Sequence, residues 1–206
     1  MILHKSFKHG WFYHYRVHIP KTESLCYNLQ SLKEYLLQVR NNCPDEYFQY
    51  GPRSSRLKMN LDLDLKLIKG HEVSELAYLG LKNARFKTAH SNVQMFMLQN
   101  DDKTISIEVP IWLLSDELSN YENILMTKEP LTGHIDVLRI EDNKIWIWDY
   151  KPNARREKYA SIQTNFYALM LSKRTGLPLD IFRCGYFDEK DAFIFRPKMV
   201  SSLLKE

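Results

Sequence analysis

The segment from residue 131 to residue 151 constrains the fold most, because its pattern is that of two strands joined by a tight turn. In the second strand, two isoleucines precede Asp149 and Lys151 on one face, and aromatic residues fill the other face. Asp136 lies on the first strand, and the polar residues 141–144 between the strands are typical of a turn. We therefore predict that the paired strands bring Asp136, Asp149 and Lys151 into one small site.

Two carboxylates at one site repel each other, so they are either buried at a cost, solvated, or arranged around a divalent cation. Carboxylate oxygens without clustered cysteine or histidine suit Mg²⁺ or Mn²⁺ better than zinc. Beside such an ion, the Lys151 ammonium can orient or help to deprotonate a water molecule and offset negative charge on a phosphate. A surface hairpin with solvated charges is the alternative. Because the strand that ends at Asp149 has the pattern of a strand buried on both faces, we favour the functional site.

Several short motifs accompany these residues in a fixed order along the chain. They are the helical segment 31–42 with Cys43, Pro44 and Phe48 after it, then Glu108-Val109-Pro110, Gly133-His134-Ile135-Asp136, Asp149-Tyr150-Lys151 and Gln163-Thr164-Asn165-Phe166-Tyr167. The set resembles the PD-(D/E)XK nuclease superfamily, and within it the RecB-type branch that includes CRISPR-associated and archaeal-virus nucleases. The match spans most of residues 31–171, so it is more specific than a lone D-x-K.

The resemblance implies a fold, a reaction and a set of site residues. The fold is α/β, a restriction-endonuclease-like core in which helices flank a mixed central sheet. Asp136 and Asp149 would be metal ligands together with the backbone carbonyl of Tyr150, and Lys151 would be the catalytic lysine. The cofactor would be Mg²⁺ or Mn²⁺, and the reaction would be hydrolysis of phosphodiester bonds in DNA.

Apolar residues at helical spacing predict a helix from about Arg155 to Lys173, which ends before Gly176-Leu177-Pro178. Gln163 and Tyr167 lie four residues apart and so share one face of this helix. By the resemblance, both approach the catalytic site. An ordinary amphipathic helix would show the same spacing, and that alternative stays open.

Two further residues allow alternative interpretations. Many RecB-type nucleases carry a metal-binding histidine on an early helix, and His71, which follows Gly70, is the candidate here. His71 falls nearly opposite the apolar stripe of its helix, so it is either a ligand or a solvated residue near the helix start. Glu108 lies on the polar side of an alternating strand, where it faces either the metal or water.

The cysteine pattern bears on the cofactor and on the compartment. Several RecB-type relatives bind an iron–sulfur cluster with four cysteines, whereas this chain has only the scattered Cys26, Cys43 and Cys184. We predict no iron–sulfur cluster, and we interpret Cys43 as a small buried residue. An odd number of cysteines without framework spacing indicates a reducing compartment. Because the sequence shows neither a membrane span of about 20 residues nor a signal peptide, we predict no membrane partner and a cytoplasmic protein, in the host cytoplasm if it is viral.

The net charge of +4 is mild, but basic residues cluster where the hairpin gives way to the helix. Arg155, Arg156 and Lys158 could contact phosphates there and bind nucleic acid without regard to sequence, although a solvated helix start has the same composition. The first 30 residues interleave basic and aromatic side chains. Such an arm could touch nucleic acid or a neighbouring subunit of a homo-oligomer, and an edge strand through residues 12–17 is at least as good an interpretation.

The whole chain, residues 1–206, is predicted to be a single nuclease domain. Residues 1–90 would form an N-terminal arm and a helical part, so that the N-terminal half is helical, and residues 91–206 would form the α/β catalytic core. The segment 52–67 is interpreted as a basic loop that runs into a strand or into an extended lead-in to the His71 helix, and the segment 115–130 as a loop near the site. The predicted strands cover residues 92–98, 104–112, 131–140, 144–151, 182–188 and 192–196.

These observations favour a divalent-metal-dependent DNA nuclease, and the resemblance favours single-stranded DNA or DNA ends as its substrate. One competing hypothesis is a non-catalytic nucleic-acid-binding protein that keeps the fold, and another is a structural protein whose acidic pair is a surface feature. Loss of an acidic ligand or of the lysine would mark the non-catalytic class. The sequence has lost neither.

Overall fold

A mixed sheet forms the centre of the protein in the computed structural model, which describes residues 1–200. Within these residues the sheet has eight strands in the order β1-β2-β4-β5-β6-β7-β8-β3, and its neighbours are antiparallel except for the parallel pair β6 and β7. The strands are β1 (Ile2–His9), β2 (Trp11–His18), β3 (Lys66–Lys69), β4 (Thr104–Leu113), β5 (Leu131–Glu141), β6 (Lys144–Tyr150), β7 (Phe182–Phe187) and β8 (Asp191–Phe195).

Helices cover both faces of this sheet. The helices are α1 (Ile19–Leu25), α2 (Gln30–Asn42), α3 (Tyr47–Tyr50), α4 (Glu72–Lys82), α5 (Ala89–Asn100), α6 (Tyr121–Leu125) and α7 (Ala160–Thr175). Helices α2 and α7 pack with Ile145 and Ile147 in the larger apolar core, whereas α4 and α5 pack with Val137 and Trp148 in a second core. The predicted α/β core, with helices on a mixed sheet, is confirmed.

The predicted hairpin of residues 131–151 is present as β5 and β6. Glu141 pairs with Lys144, and between them Asp142 and Asn143 have φ angles of 50° and 55°. Two consecutive residues with positive φ fit the twist of an antiparallel hairpin, and Asp and Asn adopt this conformation more readily than most residues. The local sequence therefore fixes the register that aligns the two strands.

The prediction of a strand at residues 92–98 is wrong, because these residues belong to helix α5. Val93, Met95 and Met97 alternate with period two, which suggested a strand. The helix is buried on most of its circumference, so it lacks the one-sided apolar stripe that identifies a surface helix. Thr88 caps its N-terminus by accepting a hydrogen bond from the backbone N–H of Ser91.

Other predicted elements differ in extent. The segment 115–130 contains a 3₁₀ turn (Ser115–Glu117) and α6, so it is not simply a loop. Helix α7 begins at Ala160, later than the predicted Arg155, because residues 154–156 form a separate 3₁₀ turn held by the side chain of Asp188. Of the two interpretations of the segment 52–67, the structure shows the strand, because the segment runs into β3.

The N-terminal part of the chain contributes strands as well as helices. Strands β1 and β2 form a hairpin, and β2 joins the sheet through β4, so residues 12–17 form a strand that is not at the edge. Strand β3 adds to the other end of the sheet through β8. The sheet thus draws strands from both sides of the predicted division near residue 90. Over residues 1–200, none of the helices has the length and apolar character needed to cross a membrane.

Candidate active site

A row of carboxylates crosses three neighbouring strands at the centre of the sheet. The registers of β4 with β5 and of β5 with β6 set Glu108, Asp136 and Asp149 side by side. Glu108 has a φ angle of 52°, a left-handed conformation that costs a residue with a side chain about 1–3 kcal/mol. Strain of this kind persists only where the surrounding structure holds it. Here the strained residue lies close enough to Asp136 and Asp149 to interact with both carboxylates.

Lys151 and the backbone of the hairpin hold the two aspartates. The Nζ of Lys151 lies 2.6 Å from Oδ2 of Asp149. The backbone N–H of Tyr150 donates to Oδ2 of Asp136 over 3.0 Å. The predicted convergence of Asp136, Asp149 and Lys151 is therefore what the structure shows.

Burial shapes the electrostatics of this row. The side chain of Asp149 is 1% exposed, and burial raises its pKa to about 7 against the opposing attraction of Lys151. Burial and the nearby Glu108 raise the pKa of Asp136 to about 7 as well. Glu108 has its own pKa raised, mainly by burial and in part by Asp149, although a hydrogen bond from Gln94 opposes the shift. Without a cation, ionisation of all three carboxyl groups at once is therefore unfavourable.

Helix α7 reaches the row from one face of the sheet. The Nε2 of Gln163 donates to Oδ1 of Asp149 over 3.3 Å and to the hydroxyl of Tyr167 over 2.7 Å. A Cβ on Gly133 would overlap the ring of Tyr167 and would stand 2.7 Å from Oγ of Ser54. The glycine of the G-x-x-D motif therefore makes room for Tyr167 beneath the site.

Helix α5 reaches the row from the other face. The Nε2 of Gln94 donates to Oε1 of Glu108 over 2.5 Å. The Nε2 of His90 lies 4.0 Å from Oδ2 of Asp136, and the same ring makes a hydrogen bond to the backbone of Tyr150. Burial lowers the pKa of His90, which favours the neutral ring that can bind a metal. Sequence reasoning missed His90 and Gln94, although their spacing of four residues would have placed them on one face had residues 89–100 been interpreted as a helix.

The sequence profile of the PD-(D/E)XK nuclease superfamily matches residues 63–203, which is more than half of the chain. The chain belongs to this superfamily. Searches of curated proteins and of solved structures gave no match. Members of the superfamily are nucleases, generally phosphodiester hydrolases, that use divalent metals, typically Mg²⁺ or Mn²⁺.

The donor set of this PD-(D/E)XK protein fits such a cation. Three carboxylates from neighbouring strands supply oxygen ligands, which is the chemistry that Mg²⁺ and Mn²⁺ prefer, and the backbone of Tyr150 is hydrogen-bonded to His90. Oδ2 of Asp149 is fully buried and makes no hydrogen bond of standard geometry, although Lys151 lies beside it. A buried carboxylate oxygen without a full set of partners is costly unless a cation binds it.

His71, the histidine considered from sequence as a metal ligand, lies away from the carboxylates. It caps the N-terminus of α4, where its Nδ1 accepts a hydrogen bond from the backbone N–H of Val73, and its ring packs 5.2 Å from that of Trp148. The charged groups that act on it are Arg139, Glu141 and their neighbours at the far end of β5. Gly70, with a φ angle of 64°, lies between β3 and His71, the N-cap of α4.

Two of the basic residues after the hairpin, Arg155 and Arg156, line a cavity to which none of the three carboxylates of the row contributes. Arg155 makes a two-pronged ion pair with Asp191, with Nε–Oδ2 at 2.5 Å and Nη2–Oδ1 at 3.0 Å. Arg155 and Arg156 line this cavity together with the acidic residues Asp188 and Glu189. Lys158 is exposed. A role of these residues in binding nucleic acid stays a prediction, and the ion pair with Asp191 already engages one of them.

The cysteines are all free thiols. Cys26 and Cys184 are buried, whereas Cys43 is only half-buried, contrary to the prediction that it is a small buried residue. Cys43 still packs against the larger apolar core, and Phe48 of the following helix α3 is buried against the rings of His9 and Trp112. That the protein lacks an iron–sulfur cluster stays a prediction.

Proposed function

We propose that this protein is a divalent-metal-dependent deoxyribonuclease of the RecB type, with single-stranded DNA or DNA ends as its substrate. The observation that carries the proposal is the row of Glu108, Asp136 and Asp149 with Lys151 beside it. The hydrogen bonds from Gln163 to Asp149 and Tyr167 support the RecB-type assignment, because the Q-x-x-x-Y helix of that branch would approach the site in this way.

The residues of the chain have separable tasks in this proposal. Asp136 and Asp149, with the carbonyl of Tyr150 and with Glu108 and His90 beside them, would hold the cation. The cation would supply the positive charge that activates water and polarises the scissile phosphate. The Lys151 ammonium offsets negative charge that develops on the phosphate and orients the attacking water. Gln163 and Tyr167 keep Asp149 in position.

The experiment is a cleavage assay with purified protein on labelled single-stranded DNA, duplex DNA and RNA, in Mg²⁺, in Mn²⁺ and in chelator. We expect cleavage of single-stranded DNA or of duplex ends that disappears in chelator. Asp149→Ala and Lys151→Ala should each abolish it while the protein stays folded. Asp102→Ala and Lys173→Ala, which remove exposed charges of the same type, are the matched controls and should cleave normally.

The alternative is a non-catalytic nucleic-acid-binding protein that retains the nuclease fold. Salt-sensitive retention of DNA without cleavage under every metal condition would select it and reject the proposed reaction. Cleavage that survives both Asp149→Ala and Lys151→Ala would equally defeat the assignment.

Three further aspects belong to the proposal. We propose that residues 1–206 act as one nuclease domain, that the protein works in the cytoplasm or in a viral host's cytoplasm, and that a homo-oligomer is compatible with its exposed N-terminal hairpin. Size-exclusion chromatography with light scattering measures the oligomeric state directly. The free thiols agree with a reducing compartment.

A further inference from the structure

An exposed aromatic and basic surface extends from the carboxylate row along the β1–β2 hairpin. At the tip, Gly10 has a φ angle of 81° and turns the chain into Trp11 and Phe12. These rings are 81% and 65% exposed, which is unusual for large apolar side chains next to a catalytic site. Neither ring contributes to the buried core, so packing alone does not explain them.

The strand pairing gathers positive charge beside these rings. Phe12 pairs with Lys8, His14 with Ser6, and Arg16 with His4, so these side chains share one face of the hairpin. We call Lys8, Phe12, His14 and Arg16, with Trp11 at the tip, the hairpin face. Alternating aromatic and basic side chains match a single strand of nucleic acid, whose bases stack and whose phosphates carry negative charge.

The hairpin is anchored against the site by the residue next to the exposed pair. The ring of Tyr13 stacks on His134, with centroids 3.7 Å apart and planes 3° apart, two residues before Asp136. Arg53 lies over the Tyr13 ring at 5.6 Å and donates a hydrogen bond to the backbone carbonyl of His9. These contacts hold the hairpin that carries Trp11 and Phe12 in place. The hairpin therefore loses less conformational entropy when a ligand binds.

A cavity of about 540 Å³ joins the hairpin face to the carboxylates. Its lining consists of Trp11 to His14 and Arg16 from the hairpin, of Phe86, His90 and other residues before and within α5, and of the partly buried carboxylates Glu108 and Asp136, which we call the floor. Among the described residues that line it, these two are the carboxylates, so negative charge is confined to the floor. A phosphate backbone can therefore approach along basic and neutral walls.

We propose that the hairpin face binds the unpaired bases of single-stranded nucleic acid and directs its phosphates to the carboxylate row. Stacking on Trp11 and Phe12 requires bases that are not paired in a duplex, so the hairpin face selects single strands or frayed ends. The delivery of phosphates to Glu108 and Asp136 for cleavage rests on the proposed nuclease function. The binding of unpaired bases by the hairpin face does not depend on it.

The test measures binding without cleavage. Fluorescein-labelled oligothymidylate and a blunt-ended duplex of the same length are titrated in chelator, with fluorescence anisotropy as the readout. Wild-type protein is compared with Trp11→Ala/Phe12→Ala and with Tyr27→Ala, which removes another exposed ring, 84% exposed, outside the hairpin. Base–aromatic stacking contributes about 1–3 kcal/mol per base, so the double variant should bind oligothymidylate about tenfold or more weakly. The Tyr27→Ala variant and duplex binding should change less than about twofold, the scale of a neutral surface change.

A second variant separates stacking from folding. Trp11→Phe keeps an aromatic ring and should bind oligothymidylate nearly as well as wild type. Trp11 is exposed, whereas Trp112 and Trp146 are half-buried and Trp148 is buried. In Trp11→Phe the oligonucleotide should therefore quench the tryptophan fluorescence much less than in the wild type. Unchanged oligothymidylate binding by the double variant, or an equal loss on duplex, overturns the inference.

Failure of the hairpin inference and failure of the nuclease proposal give different results. If single-strand binding depends on Trp11 and Phe12 but no metal supports cleavage, the hairpin inference stands and the nuclease proposal fails. If metal-dependent cleavage is found but the double variant binds normally, only the hairpin inference fails.

Discussion

Gly133 lies against the ring of Tyr167, so closely that even a methyl group at position 133 would overlap the ring. The glycine is on β5, three residues before Asp136, and the tyrosine is on α7, where Gln163 connects it to Asp149. The contact thus couples the position of the helix to the geometry of both aspartates.

The first prediction concerns this contact. Gly133→Ala should displace Tyr167 and Gln163, lower the cleavage rate about tenfold or more, and destabilise the fold by about 1–3 kcal/mol through overpacking. A double-mutant cycle with Tyr167→Leu checks the mechanism, because removing the ring relieves the overlap. Strictly additive losses of stability in urea unfolding would show that the ring is not what the added methyl group strikes.

The second prediction concerns the two histidines. His90→Ala should weaken Mn²⁺ binding measured by calorimetry, since His90 lies beside Asp136 and the backbone of Tyr150. His71→Ala is the matched control and should leave Mn²⁺ binding and cleavage within about twofold, while loss of the cap costs about 1 kcal/mol of stability. The reverse ranking of the two variants in Mn²⁺ affinity would restore His71 as the ligand.

The third prediction is a pH dependence of the metal-free protein. Burial raises the pKa of Asp149 to about 7 in the folded state, whereas the pKa of an exposed aspartate is about 3.9. Between these pH values the folded protein holds a proton that the unfolded chain has released. Raising the pH from about 4 to about 7 should therefore lower the free energy of unfolding, by an amount on the order of a few kcal/mol.

Asp149→Asn removes one of the titrating groups and should reduce this pH dependence in urea unfolding with chelator present, while Asp136 and Glu108, whose pKa values are also raised, supply the part that remains. Adding Mn²⁺ near pH 8 should restore the stability of the wild-type protein, because the cation binds the folded state. A chelated wild-type protein that grows more stable from pH 4 to pH 7 would contradict the prediction.

The fourth prediction concerns a buried ion pair outside the site. Arg139 is fully buried, and its Nε and Nη2 donate to the carboxylate of Asp101 over 2.8 and 3.2 Å. Asp101→Ala leaves that charge without its buried partner and should cost about 3–5 kcal/mol in thermal or urea unfolding. Glu122→Ala breaks an exposed pair with Lys128 and should cost less than about 1 kcal/mol. A similar, small cost for both would mean that Glu72 and Glu141, which also pair with Arg139, are enough to compensate its charge.

Much of the site was predictable because it lies on one hairpin. Period-two alternation and the Asp142-Asn143 turn act over a few residues, so the convergence of Asp136, Asp149 and Lys151 followed from local sequence. Five of the six predicted strands are present, and the sixth failed because the alternation of Val93, Met95 and Met97 is also compatible with a helix buried on most sides. Periodicity alone does not separate these cases for a short apolar run.

The sequence by itself determined the acidic pair, its lysine and the membership of a nuclease superfamily, since each depends on neighbours close along the chain or on an ordered set of motifs. Only the tertiary structure decided that His90 rather than His71 lies beside Asp136, that Gln94 bonds Glu108, and that the β1–β2 hairpin flanks the cavity. Those relationships join segments far apart in the chain. Packing of helices and strands across the sheet determines these contacts. A pattern of a few neighbouring residues cannot predict them.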